Sequence, residues 1–147
     1  MSDSLSYWSE ARLSPERQTV LMQRVAGDVA AFRWWAESIS LRPVERGLIG
    51  QTKLFLNCAD IEEDSIMAWW NTVHVLRLLQ GYARDFDLSW MIKIEDQNFG
   101  QLDGSSGDRA VFDAMDQLLG FAGVMADDPD LPDRIKQIDA KHANRWD

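Results

Sequence analysis

The chain has 147 residues, 46% hydrophobic and 27% charged, with a formal net charge of −9; this fits one domain around one core and excludes a mainly disordered chain. Cys58 is the sole cysteine, which excludes an internal disulfide and a cysteine-built zinc site within one chain and suits a small buried hydrophobe. No apolar stretch approaches the roughly 18–20 residues that span a bilayer, and the start lacks a basic segment followed by an apolar run, so a cytoplasmic protein with no membrane contact is expected.

Residues 1–13 read as an N-terminal extension, with Trp8 either packed back onto the domain or part of a binding surface. Ser14, Pro15 and Glu16 then form a helix start signal, and Leu21, Val25, Val29, Phe32, Ala36 and Ile39 recur at helical spacing, which predicts a first helix over 15–39. Pro43, Gly47 and Gly50 break the pattern. "QTKLFLNCA", residues 51–59, is a short strand candidate, and Asp60 with Glu63 has the spacing of a helix cap. A second helix over 62–86 carries Ile66, Trp69, Trp70, Val73, Leu76, Leu79 and Tyr82, with Val75 and Leu78 on other faces. It is too apolar all round to lie on the surface and is placed centrally.

Leu88, Trp90, Ile92 and Ile94 alternate with polar neighbours, the pattern of a strand with one buried face. Strand, helix and strand make a βαβ-like unit, with a third strand near Phe99–Leu102 returning as a hairpin. Asp108 suits the cap of a third helix over 109–124. Residues 125–147 read as an acidic loop and a short amphipathic helix opened by Pro132, with Leu131, Ile135, Ile138 and His142 on one side. The expected fold is thus a single α+β domain, about four helices on a sheet of two or three strands.

The acidity is lopsided. Residues 1–57 hold seven basic and six acidic side chains, whereas 95–133 hold ten acids and only Arg109 as a base. Such a field repels phosphate backbones and attracts a basic protein, so a basic protein partner is expected and direct nucleic-acid binding is not. Phosphate-loop, dinucleotide, HExxH, GxSxG and calcium-loop patterns are absent, and no cofactor, metal or catalytic residue is assigned.

Two tryptophan pairs stand out. Neighbours on a helix point 100° apart, so both cannot sit at the centre of one stripe. Trp69 and Trp70 each fall near the apolar direction of the second helix. Trp34 lies about 160° from the first helix's stripe, so either a second layer covers it or it is exposed as a binding anchor. Three functional readings follow. The first is a small acidic binding domain, such as an inhibitor or immunity-type protein masking a basic partner, with Trp34, Asp127, Asp128, Asp130 and Asp133 at the interface. The second is a small-molecule or enzymatic pocket around Trp70, His74, Arg77 and Arg84, set against pairing of those arginines with nearby acids. The third is a structural homodimer subunit.

Overall fold

A computed structural model of the protein describes residues 4–56, 60–94, 97–104 and 129–142. Along the chain run β1 (Ser4–Ser9), α1 (Pro15–Ala31), β2 (Arg42–Val44), β3 (Gly47–Lys53), α2 (Ile61–Phe86), β4 (Trp90–Ile94), β5 (Gln97–Leu102) and α3 (Leu131–Lys141). The five strands form one antiparallel sheet in the order β2-β3-β1-β4-β5. The fold is α+β, with three helices among the described residues. The expected helix over 109–124 lies outside them.

The sheet is larger than the sequence reading has it, because residues 4–9 are not an extension. "SLSYWS" places Leu5 and Tyr7 on the covered face, and β1 pairs with β3 on one side and β4 on the other. β3 and β4 therefore run parallel but do not touch, and the βαβ-like unit is a split one with β1 between its strands. β1, α1 and β2 form a second split unit around β3. Together they give the interleaved βαββαβ connectivity of ferredoxin-like folds, with β5 added as a hairpin at the β4 edge. The strand expected over 51–59 instead starts at Gly47 and stops at Lys53, set by its register with β1.

One face of the sheet is covered. Leu5, Tyr7, Leu48, Trp90, Ile92 and Leu102 pack against Leu21 and Val25 of α1 and Val75, Leu76, Leu79 and Tyr82 of α2 in one core. The indole N–H of Trp90 donates to the Leu79 carbonyl, which ties β4 to the helix layer. A second core joins Trp35, Ile66 and Met67 to Leu131, Ile135 and Ile138, so α3 packs on the N-terminal part of α2. α2 is buried against both cores, as its apolar circumference requires. It opens at Asp60, whose carboxylate accepts from the Glu63 N–H at 3.1 Å, and stops at Asp87 in the left-handed conformation. No helix among the described residues is long and apolar enough to cross a membrane.

α1 ends at Ala31 rather than at residue 39, for a physical reason. The Val29 carbonyl, which would accept from the next turn, accepts the Trp34 indole N–H instead at 3.0 Å. The backbone N–H of Trp35 donates to the Asn71 side chain at 2.8 Å, and the Asn71 amide donates back to the Glu37 carbonyl at 3.3 Å. Tertiary partners thus replace helical ones over residues 32–41, where bulky aromatics lower helix propensity. The carboxylate of Asp64, 6% exposed, completes the arrangement by accepting from the Trp35 indole at 2.6 Å and from the Leu56 N–H at 2.9 Å.

Candidate partner-binding site

With the helix gone at residue 32, the angular argument for Trp34 no longer applies. Its side chain is 7% exposed and belongs to the main core, while Trp35 belongs to the second. Trp34 is therefore covered and offers no free anchor. Of the acids assigned to an interface, Asp127 and Asp128 lie outside the described residues. Asp130 and Asp133 are exposed at the start of α3, Asp130 in the cap position and Asp133 in the first turn, where a carboxylate also meets the positive end of the helix dipole.

The start of α3 lies beside the start of α2. Arg134 pairs with Glu62, and the Lys141 ammonium reaches both oxygens of Glu63 at 3.0 and 2.9 Å. Arg33, just beyond α1, pairs with Asp139 at 3.0 Å. Between the two helices runs a groove of about 290 Å³, lined by Asp60, Glu62, Glu63, Ile66, Arg134 and Ile138 among others. At its edge stands Ile61, the first residue of α2 and 78% exposed, an apolar side chain set between Asp60 and Glu62. The sequence signal for it is a lone large apolar residue in "DIEED", off the buried stripe of the helix by 140° from Ile66 at about 100° per residue.

The alternative pocket around α2 comes together only in part. His74 stacks on Phe32, with ring centroids 3.7 Å apart, and lies 5.3 Å from Trp34; Phe32 also lies 6.0 Å from Trp70. Burial holds the half-buried His74 below the ordinary histidine range, and the Arg77 charge adds to this while Asp28 opposes it. Its ring therefore favours the neutral form. Phe32, which the sequence reading gave only to the core stripe, is what His74 packs against. Arg84 is not part of this cluster: it pairs with Asp85 at 3.3 Å at the other end of α2 and backs onto Gly104 so closely that a Cβ there would overlap its backbone. Arg77 is exposed, and no acid among the described residues pairs with it.

In comparisons with known proteins, no family model, no curated protein and no solved structure matches the chain.

Proposed function

We propose that the protein is a binding domain that recognises a basic protein partner through the adjoining starts of α2 and α3. The observation that carries this reading is Ile61, a large apolar side chain left 78% exposed among carboxylates. At a contact surface an apolar anchor supplies desolvation and a charged rim supplies steering and register, and Ile61 is the most exposed of the large apolar side chains among the described residues. Asp60 and Glu62 flank Ile61, Asp130 and Asp133 stand exposed at the start of α3, and the cations lining the groove, Arg134 and Lys141, are engaged with Glu62 and Glu63. The net charge of −9 extends the same preference to long range. An inhibitor or immunity-type role, masking the basic surface of another protein, is the biology this chemistry suits.

The test is affinity capture from the source lysate at low salt and at about 0.5 M salt, where the Debye length contracts severalfold. Wild type should retain a basic protein at low salt and lose it on screening, and Ile61→Ser should weaken capture at both. Equal retention by Ile61→Ser and by Asp60→Asn with Asp133→Asn would sink the proposal. A concentration-dependent mass of the purified protein, unaffected by those variants, would favour the homodimer instead.

A further inference from the structure

The other face of the sheet, turned away from α1 and α2, is built differently. Cross-strand register sets Trp8 between Ile49 on β3 and Met91 on β4, with Arg42 beyond Ile49 on β2. All three central side chains are half-buried, and Arg42 is exposed. Beside Trp8 runs a groove of about 480 Å³, walled by Ser6, Trp8, Arg42, Ile49 and Gln51 with the Ser40–Leu41 backbone at its rim. Its volume is within the range that small-molecule sites occupy.

Two details point to what it takes. Trp34, Trp35 and Trp90 each donate their indole N–H to a protein acceptor. The Trp8 indole N–H has no such acceptor among the described residues and is not sealed from solvent. Arg42 likewise forms no ion pair or side-chain hydrogen bond with a described residue, although the chain carries 24 acids, and no carboxylate lines the groove. The groove thus offers an aromatic plane, a guanidinium, an indole N–H, and the side chains of Ser6 and Gln51, a set rich in donors.

We propose that this groove binds a flat anionic ligand, its aromatic ring stacked on Trp8 and its carboxylate or phosphate held by Arg42. Stacking on indole suits any planar π-system. A guanidinium engages either anion through two parallel N–H bonds, a geometry that a lysine cannot offer. Ser6 and Gln51 then meet acceptors on the ring. The groove shares no residue with the helix starts, so this proposal and the partner-binding one can fail separately.

The probes are adenosine monophosphate and 2-naphthoate, with adenosine and inorganic phosphate as controls, added to the ¹⁵N-labelled intact protein. The indole signal that a Trp8→Phe variant lacks should shift with at least one anionic aromatic probe, and Arg42→Gln should weaken that binding about tenfold by removing the charge-assisted bonds. A response to adenosine monophosphate alone assigns a phosphate, and one to naphthoate alone assigns a carboxylate. No shift of the Trp8 signal up to about 5 mM, an equal response to neutral adenosine, or unchanged binding by a folded Arg42→Gln would overturn the proposal.

Discussion

The segment joining α1 to β2 and the outer face of the sheet both set tryptophan beside polar side chains, and they treat those polar groups in opposite ways. In residues 32–41 the Trp34 and Trp35 indoles, the Trp35 and Ser40 N–H groups and the Glu37 and Ser38 carbonyls all find partners, several of them supplied by buried Asp64, Asn71, Tyr7 and Thr52. On the outer face the half-buried Trp8 indole and the exposed Arg42 guanidinium bond to no described residue. A buried donor left unsatisfied costs the full desolvation of that group, so the first region must be complete to exist at all. The second keeps donors that solvent or a ligand can satisfy. The difference separates side chains that specify the fold from those available for function.

Substitutions can break that contrast, and the largest effect belongs at its buried end. Asp64→Ala strips the acceptor from two N–H groups at once, and about 3 kcal/mol of stability should go with it, measured by urea unfolding; a loss under about 1 kcal/mol would show that the segment finds other acceptors. Gly50→Ala comes next. A Cβ there would overlap the Ser40 carbonyl oxygen and the ring of Tyr7, so the loop must shift and Tyr7 must leave its bonds to Thr52 and Ser40. Overpacking of this kind costs about 2 kcal/mol, visible as a lower thermal midpoint.

A smaller effect is expected at His74, and its sign follows from the depressed pKa. The unfolded chain takes up the histidine proton at a higher pH than the folded chain does. The stability due to the neutral ring is therefore complete above about pH 6.5 and declines as pH falls through the folded value. His74→Gln should flatten that limb of the stability curve; an unchanged limb would place the titration elsewhere. At the far end, Arg42→Gln and Ile61→Ser should each leave stability within about 0.5 kcal/mol of wild type while altering binding. A larger loss at either position would move it from the functional to the structural side of the comparison.

Long periodic segments were legible in the sequence. α2 begins and ends within a residue of its expected bounds, and Leu88, Trp90, Ile92 and Ile94 face the core as their alternation requires. The β4–β5 hairpin and the helix opened near Pro132 were legible too. What escaped was tertiary. β1 is six residues long, and its two large apolar side chains on one face are too short a pattern to distinguish from a tail; its identity comes from neighbours 39 and more residues away. The end of α1 depends on Asn71, a residue that helical periodicity treats only as a polar flank. For the candidate sites, charge singles out Asp130 and Asp133 in the sequence and both are exposed, but exposure also distinguishes Ile61 from the covered Trp34, and exposure is a property of packing.

The central place of β1 also has a meaning for how the protein is made. Leu5 is paired on one side with Thr52 and on the other with Ile94. A ribosome delivers this strand before β3 and long before β4, so the edge that β4 will take stays open while α2 emerges. Completion of the sheet is deferred until β4 arrives, and closing so long a loop makes that step slow relative to helix formation. The serines at positions 4, 6 and 9 alternate with or flank the apolar residues of this strand, which limits the continuous apolar surface it exposes during the wait.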